Sequence, residues 1–371
     1  MAHEDLPPIN ITPGAIRFNT DSMKLEYFHL GMAGGASNVN PNSASYAGIG
    51  TMAAGEWVQL TTDTPDIQTG GTRGVFSGIG GGGTISNVMN YVNVETTGDA
   101  TTFGTLTLPT RYGNAVGSRT RGIVYEGITP SGNYDTDIQY FTFASTGNTI
   151  DFGGNSTVGR YGGLGLSNST RGIRAGGYHP AANNATIDYI TMASTGVDAQ
   201  DFGDLIVTFR YGNGAFANST RGILTGGYPG SGTDDSISFI TISTQGNAAD
   251  FGNLNVGKNA GSQGGSNAVR GLFVGGHNGS AATNIIEYIT IGTLGNAQDF
   301  GDCTTTTQYG AAASSKTRLV IAMGNYPSYV NTINYCQIMT TGDATDFGDL
   351  TQNGGDSGTG MGNSNGHGGL G

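Results

Sequence analysis

The sequence predicts an all-β protein: a six-bladed β-propeller that follows a small N-terminal β-hairpin module. Two observations predict this fold class. One unit of about 49 residues recurs six times along the chain, and no segment keeps the helical period of 3.6 residues over ten or more positions. The composition agrees with short strands and tight turns, because 67 of the 371 residues are glycine. Glycine follows no three-residue period, which excludes collagen.

The first predicted element is the hairpin module, residues 1–65. Apolar and polar residues alternate through Ala15–Phe18 and again through Lys24–Phe28, and a polar turn separates the two runs. This pattern is typical of a β-hairpin. Among the large apolar side chains of the module, Ile16, Phe18, Leu25, Tyr27 and Trp57 are the attachment candidates, and they are too few to form a stable core alone. Because an isolated hairpin is marginally stable in water, we predict that these side chains attach the module to a partner subunit.

Residues 66–371 contain the repeats, and three anchors keep one phase through all six copies. The first anchor is an arginine before glycine or leucine: Arg73, Arg121, Arg171, Arg221, Arg270 and Arg318. The second is a phenylalanine before glycine: Phe103, Phe152, Phe202, Phe251, Phe300 and Phe347. The third is a turn glycine: Gly98, Gly147, Gly196, Gly246, Gly295 and Gly342. The shared phase predicts six blades of four short antiparallel strands.

Within a repeat, the apolar run indicates a strand that is covered on both faces. Ile187–Ala193 is apolar at nearly every position, as expected for such a strand. The corresponding runs are Gln139–Ala144, Phe239–Ser243, Tyr288–Ile291 and Tyr335–Met339. The glycine of each Phe-Gly pair predicts a tight turn or a bulge. The glycine-rich tail, residues 351–371, leaves two alternatives: it supplies the last strand of the first blade and closes the ring, or it is disordered.

The repeat unit resembles the kelch repeat. Kelch blades run to about 50 residues, and the doublets Gly176-Gly177, Gly226-Gly227 and Gly275-Gly276 are each followed by Tyr or His, which is similar to the kelch glycine doublet. The later Tyr and Trp pair of kelch blades is missing, since the only tryptophan is Trp57. A linear β-solenoid is the alternative, although its rungs are shorter. The resemblance implies a kelch-like propeller.

The anchor arginines are expected to serve the fold, because a residue that recurs once per blade usually stabilises the blade. We expect each guanidinium to hydrogen-bond a strand carbonyl or to pair with the aspartate before Phe-Gly. The aspartates before Phe-Gly are Asp151, Asp201, Asp250, Asp299 and Asp346. A ring of anion-binding arginines is the alternative. A further set of basic residues that we assign to equivalent positions is Arg111, Arg160, Arg210 and Lys258.

The loops after the glycine doublets differ most between repeats, and they are the candidate recognition surface. Their aromatic and imidazole side chains are Tyr178, His179, Tyr228, His277, Tyr326 and Tyr329. Tyrosine among Ser, Gly and Asn gives an adaptable binding surface. Simple exposed turns are the alternative.

Several function classes are excluded by composition and motifs. The formal net charge of −12 and the scattered Lys and Arg residues argue against nucleic-acid binding. Cys303 and Cys336 belong to no CxxC motif, and no HExxH occurs, so the sequence gives no support for a zinc site. The Asp-Phe-Gly-Asp runs, such as Asp201–Asp204, lack the dense carboxylate spacing of calcium loops, so we expect solvated turns there, with calcium binding as the alternative. No apolar stretch is long enough to span a membrane.

Catalytic patterns are also missing from the sequence. The residues show neither the paired carboxylates of a glycosidase nor a G-x-S-x-G nucleophile elbow. We therefore expect a non-enzymatic protein without a cofactor or a metal ion.

The N-terminal segment resembles a module of tailed-bacteriophage virion proteins, in which a G-x-I-R-F-N-T-D hairpin and a K-L-E-Y strand precede G-x-W. The matching residues are Gly14, Ile16, Arg17, Phe18, Asn19, Thr20, Asp21, Lys24, Leu25, Glu26, Tyr27, Gly55 and Trp57. The repeats with Thr-Arg-Gly and Asp-Phe-Gly are similar to those of structural proteins of marine tailed phages, including phages of cyanobacteria.

This resemblance implies a virion structural protein on the outside of the tail, neck or capsid, either a tail or neck fibre or a receptor-binding component. Its implied partners are other virion proteins, reached through the N-terminal module as a docking arm or self-trimer, and a host cell-surface glycan. The alternatives are a capsid decoration protein, a bacterial extracellular lectin-like propeller and a sugar-modifying enzyme on the same scaffold.

Overall fold

The computed structural model describes residues 15–19, 24–29, 56–59, 72–79, 85–260, 262–322, 324, 328–354 and 361–370. The chain divides into two compact units, Met1–Thr69 and Gly70–Gly371. Each is described by itself.

The N-terminal unit contains a three-stranded antiparallel sheet in the order β1-β2-β3. Its strands are β1 (Ile16–Asn19), β2 (Lys24–His29) and β3 (Glu56–Gln59). The predicted hairpin is present, with Ile16 opposite Tyr27. The strand that carries Trp57 joins it, because Trp57 lies opposite Phe28.

The unit Gly70–Gly371 is a six-bladed β-propeller, as predicted. Blade one contains β4 (Arg73–Ser77), β5 (Val88–Asn93) and β6 (Thr101–Thr105). Blade two contains β7 (Asn114–Gly117), β8 (Arg121–Tyr125), β9 (Asp137–Thr142) and β10 (Ile150–Asn155). Blade three contains β11 (Leu164–Ser167), β12 (Arg171–Ala175), the short β13 (Tyr178–His179), β14 (Ala182–Thr191) and β15 (Gln200–Phe209).

The remaining blades follow the same order from the innermost strand outward. Blade four contains β16 (Ala215–Ala217), β17 (Arg221–Thr225), β18 (Asp234–Thr241) and β19 (Ala249–Lys258). Blade five contains β20 (Ser262–Ser266), β21 (Arg270–Val274), β22 (Thr283–Thr290) and β23 (Gln298–Thr307). Blade six contains β24 (Ala311–Ser314), β25 (Arg318–Ala322), β26 (Val330–Gln337) and β27 (Thr345–Gly354).

The C-terminal tail closes the ring. Strand β28 (Gly362–Ser364) pairs antiparallel with β4, with Gly362 opposite Phe76, and it is the innermost strand of blade one. Of the two alternatives for the tail, the structure therefore shows the closing strand. A single turn of 3-10 helix, Gly368–Leu370, follows it.

Two of the three repeat anchors meet at every interface between blades. The N–H of each turn glycine donates to the carbonyl of the anchor phenylalanine in the preceding blade, as Gly147 does to Phe103 at 2.9 Å, and Gly98 to Phe347 at 2.8 Å between blades one and six. A Cβ added at Gly104 would overlap the carbonyl oxygen of Gly147. The Phe-Gly and turn-glycine anchors thus recur because neighbouring blades touch there through backbone.

The third anchor, the arginine, also joins neighbouring blades. Each Nη1 donates to a backbone carbonyl of the next blade, and each guanidinium lies over an aromatic ring of its own blade, 4.2 to 4.8 Å from the ring centre. The carbonyls belong to Phe143, Met192, Ile242, Ile291, Ile338 and Glu95, in blade order. Among the described residues no anchor arginine forms an ion pair with the aspartate before Phe-Gly.

The Asp-Phe-Gly-Asp runs are exposed to solvent at their aspartates, as expected, but they lie on outermost strands and not in turns. In blade three, Ile187 pairs with Gly203 while Asp188 pairs with Asp201, which leaves Phe202 as the extra residue of a bulge. Gly203 has a φ of +146° there. The bulge turns Phe202 into the hydrophobic core and leaves both aspartates exposed.

Candidate functional site

The innermost strands surround a central channel with two different mouths. β7, β11, β16, β20, β24 and β28 are neighbours around the axis and run in the same direction. They end at the mouth that carries the anchor arginines. At the other mouth, where these strands begin, lie four tyrosines that each precede a glycine. We call it the tyrosine mouth, and its tyrosines are Tyr112, Tyr161, Tyr211 and Tyr309.

The C-terminal residues plug the arginine mouth. His367 is one of the residues that line the channel cavity, which has a volume of about 400 Å³ including the space open to solvent. Its Nε2 lies 2.7 Å from the carbonyl oxygen of Gly117, and Arg119 Nη2 donates to the carbonyl of Leu370 at 2.6 Å. Burial lowers the pKa of His367 to about 4, so the plug holds a neutral imidazole.

The contact between Ser167 and His367 is not a nucleophile–base pair. The N–H of Gly369 donates to Nδ1 at 3.2 Å, which places the imidazole proton on Nε2, where it is donated to Gly117. Nε2 then has no lone pair to accept the proton of the Ser167 hydroxyl, 3.3 Å away, and Ser167 itself donates to Gly117. A serine nucleophile needs a free acceptor nitrogen, so this pair is structural.

The tyrosine mouth is built on a chain of left-handed residues that links five blades. Gly162 donates to the carbonyl of Tyr112, Tyr211 to Gly162, Ala260 to Tyr211 and Tyr309 to Ala260, at 2.7 to 2.9 Å. All five have φ between +51° and +67°. That conformation is unfavourable for tyrosine and alanine, and it persists because each residue bonds a neighbour in the adjoining blade.

Three tyrosines meet over the channel axis. Tyr112, Tyr211 and Tyr309 come from alternate blades, and their ring centres lie 5.4, 5.6 and 5.9 Å apart. Side chains from blades two, four and six can contact one another only near the axis. The three rings therefore cover this end of the channel. Burial, together with a hydrogen bond to Tyr161, raises the pKa of Tyr211 well above its usual range.

A second group of planar side chains runs outward from the axis, and we call it the aromatic ladder: Tyr134, Tyr161, Tyr178, Arg210 and Tyr228. Tyr134 stacks on Tyr161 at 5.3 Å with an interplanar angle of 16°, and Tyr161 contacts Tyr178 at 5.4 Å. The guanidinium carbon of Arg210 lies 4.9 Å from the ring centres of both Tyr178 and Tyr228. The ladder spans blades two to four.

The structure corrects our assignment of Arg111, Arg160, Arg210 and Lys258 to one equivalent set. Isolated bridges pair Arg111, Tyr161, Arg210 and Asn259 with Ile128, Tyr178, Tyr228 and His277, respectively. Arg160 and Lys258 stand one position earlier, and successive side chains of an extended backbone point to opposite sides. Arg111 and Arg210 are therefore half-buried among the tyrosines, whereas Arg160 and Lys258 are buried inside their blades.

The buried cations are paired with carboxylates. Arg160 Nη2 lies 2.6 Å from Asp188 Oδ1, and Lys258 Nζ lies 2.6 Å from Glu287 Oε2, with all four side chains essentially inaccessible. Glu126 is equally buried but has no ion pair among the described residues. Burial raises its pKa to about 8, although hydrogen bonds to Gln139 and Thr110 oppose the rise.

The predicted recognition residues differ in position and exposure. Tyr178 and Tyr228 are half-buried members of the aromatic ladder. His179 is exposed on β13, and His277 is half-buried, with its Nδ1 accepting the N–H of Gly279. Tyr329 is half-buried just before β26, and none of these three belongs to the ladder. Tyr326 lies outside the described residues.

Several residues of the site were missed by the sequence analysis. These are Tyr112, Tyr134, Tyr161, Tyr211 and Tyr309. A signal was available for four of them, since Tyr-Gly recurs with nearly the same spacing as the anchors. Only the basic residues that precede three of these tyrosines, Arg111, Arg160 and Arg210, were singled out.

The attachment candidates lie in the N-terminal sheet. Ile16 is exposed, with 65% of its surface accessible. Phe18, Leu25, Tyr27 and Trp57 lie on its strands, and their side chains fall outside the described part of the chain. Nearby, the buried Glu26 forms an ion pair with Arg17, in which Arg17 Nη2 lies 2.8 Å from Glu26 Oε2.

No group of three or more His, Cys, Asp or Glu side chains among the described residues is placed to hold a metal ion. Cys303 and Cys336 are free thiols, and burial raises the pKa of Cys336 to about 12. None of the described helical segments is long and apolar enough to cross a membrane.

Comparison with known proteins gives no family, because the sequence matches neither a family model nor a curated protein.

Proposed function

We propose that this protein is a non-enzymatic structural component of a tailed-phage particle, of the tail-fibre, neck-fibre or receptor-binding type. In this role the N-terminal module attaches to neighbouring virion proteins and the propeller presents its tyrosine mouth to the host cell. The observation that carries the proposal is the tyrosine mouth itself. It is an aromatic surface with a positively charged arginine, held on a rigid closed ring, and such surfaces favour recognition.

The two units differ in the backbone surface that they offer to other chains, and this difference supports the proposal. The propeller binds its own blades together through six equivalent sets of backbone contacts and through β28. Among its described residues the N-terminal unit forms a sheet of three short strands, and short strands at the edge of a small sheet are suited to pairing with a partner chain. Ile16 on β1 is exposed. This sheet is therefore the part of the chain that we assign to attachment.

Three titratable groups, Asp188, Glu287 and His367, have structural partners, and this supports a non-enzymatic role. Asp188 and Glu287 are committed to ion pairs inside their blades. His367 gives its Nε2 proton to Gly117 and accepts the N–H of Gly369 on Nδ1. Groups that are committed to structural partners in this way, with both carboxylates fully buried, are not placed to exchange a proton with an outside substrate.

The test is the location of the protein in a lysate that contains the particles. We expect the full chain to sediment with the particles in a density gradient, and antibodies against the propeller to label them from outside. Labelling at the tail or neck supports the fibre-type role, whereas labelling over the capsid indicates a decoration protein. Recovery only in the fraction free of particles would refute the proposal.

A matched pair of variants tests attachment. Ile16→Asp places a charge on the exposed face of β1 and should reduce incorporation into particles. Val197→Asp changes an exposed apolar residue of the propeller and should leave incorporation unchanged. Equal incorporation of both variants would contradict the assignment of attachment to the N-terminal sheet.

A further inference from the structure

We propose that the aromatic ladder binds a carboxylated polysaccharide, and that Arg210, with Arg111 beside it, holds the sugar carboxylates. This inference deepens the proposed host-recognition role and rests on it. It names the chemical class of the ligand and the residues that select it.

The basic side chains of the propeller differ in whether they have a protein acceptor. Most basic side chains of the propeller have a protein oxygen as partner. These partnered side chains are the six anchor arginines, Arg119, Arg160, Arg174 and Lys258. Within the described residues the guanidinium groups of Arg111 and Arg210 have neither an ion pair nor a hydrogen bond, and the Nε of each is buried without an acceptor. Both lie at the tyrosine mouth.

Arg210 is held in place by aromatic rings. Its guanidinium lies between Tyr178 and Tyr228, 4.9 Å from each ring centre, and 5.5 Å from the ring of Tyr211. These contacts fix the side chain through cation–π attraction and leave its N–H donors without a protein acceptor. An arginine fixed in this way loses little conformational entropy when it binds, and its planar fork matches a carboxylate.

Arg111 extends the same surface toward the axis. Its guanidinium lies 5.6 Å from the ring centre of Tyr112, and the ring of Tyr112 contacts that of Tyr211. The two arginines are therefore connected through two touching rings. Two donors on one aromatic surface suit a polymer that repeats its carboxylates, because a second contact on the same chain adds effective concentration.

The aromatic rings supply the rest of the recognition. The C–H faces of pyranose rings are apolar and can pack against the accessible part of the half-buried Tyr134, Tyr178 and Tyr228, while an arginine pairs with a carboxylate through two parallel hydrogen bonds. A nucleic acid is disfavoured, because phosphate binding requires many clustered cations and the chain carries a net charge of −12. That net charge also repels polyanions elsewhere, so binding should depend strongly on the two arginines.

Binding of purified full-length protein to polygalacturonate and to alginate tests the proposal, with fully methyl-esterified polygalacturonate as the matched neutral ligand. We expect at least one of the two carboxylated polymers to bind and the ester to bind far more weakly. Arg210→Gln should weaken binding about tenfold or more, since a hydrogen bond to a charged group is lost. Arg111→Gln should weaken it less, and Arg210→Lys should give an intermediate loss, because the charge remains but the fork is removed.

Lys316→Gln is the control variant. It removes the same charge from an exposed residue at the arginine mouth, and it should leave affinity unchanged. Thermal unfolding of every variant checks the fold. Binding to neither carboxylated polymer, equal binding to the methyl ester, or an equal effect of Lys316→Gln and Arg210→Gln would overturn the proposal. Such a result leaves the location of the protein on particles unaffected, so failure of this inference is distinguishable from failure of the proposed function.

Discussion

Arg318 Nη1 donates a 2.8 Å hydrogen bond to the backbone carbonyl of Glu95, 223 residues earlier in the chain. The neighbouring Thr317 hydroxyl donates to the Glu95 carboxylate at 2.8 Å. These bonds join blade six to blade one, and they repeat the arginine contact that joins every other pair of blades. The ring is therefore closed by β28, by the bond between Gly98 and Phe347, and by the same arginine contact that the repeats use throughout.

The arginine contact predicts a stability effect. Arg171→Ala and Arg221→Ala should each reduce the free energy of unfolding by about 1–3 kcal/mol, because each leaves a carbonyl of the next blade without its partner. Urea denaturation measures the loss, and Lys316→Ala, at an exposed position, should change it little. Variants with an unchanged midpoint but lost ligand binding would show instead that the arginines form a functional ring.

The blade interfaces could be predicted from the sequence because they are made by the repeated residues themselves. Gly98 and Phe347 belong to anchors that recur six times, and a contact that every interface needs leaves a periodic trace. The aspartate alternative for the arginines failed, since the carbonyls of the adjoining blade lie within reach of each Nη1. The position of β28 could not be decided from composition, because a glycine-rich tail is compatible with both a strand and disorder.

The site was harder to predict because it depends on what differs between blades. The periodic spacing placed Arg160 and Arg210 at equivalent positions, but a shift of one residue in an extended segment exchanges the buried side for the exposed one. The meeting of Tyr112, Tyr211 and Tyr309 over the axis requires knowledge of the ring. Local sequence patterns cannot show that residues about 100 positions apart touch.

The buried pair of Lys258 and Glu287 predicts a difference between single and double substitutions. Glu287→Gln leaves the Lys258 ammonium buried without a counter-charge and should cost about 3–5 kcal/mol of folding free energy. Lys258→Met combined with Glu287→Leu removes both charges and should recover most of that loss. Chemical denaturation of the two variants and the wild type measures the difference. A double variant as unstable as the single one would show that shape, and not charge burial, dominates at this position.

His367 predicts a loss of stability in mild acid. Its pKa is about 4 in the folded protein, lowered first by burial and then by the nearby Arg119, against an ordinary value of 6.5. Between these values the unfolded chain binds more protons, so stability should fall as the pH falls from about 6.5, by about 3 kcal/mol near pH 4. His367→Gln should flatten this part of the curve of unfolding free energy against pH, whereas His179→Gln, at an exposed position, should not. Parallel curves for wild type and His367→Gln would show that His367 does not cause the loss of stability in mild acid.

Glu126 predicts a pH effect of the opposite sign. Burial, with the nearby Asp135 and Asp137, raises its pKa from 4.5 to about 8, so the folded protein binds more protons than the unfolded chain between these values. This group should therefore lower stability as the pH rises from about 4.5, by a few kcal/mol at pH 8.

Glu126→Gln imitates the protonated acid: its carbonyl oxygen can still accept the hydrogen bond from Gln139, and its amide replaces an oxygen that already lacks a partner. The variant and the wild type should be equally stable near pH 4.5, and the variant should become more stable by about 3 kcal/mol or more near pH 8. Urea unfolding of both proteins across this range measures the difference directly, since the contribution of His367 is common to both. A difference that does not change with pH would mean that Glu126 is already ionised in the folded blade.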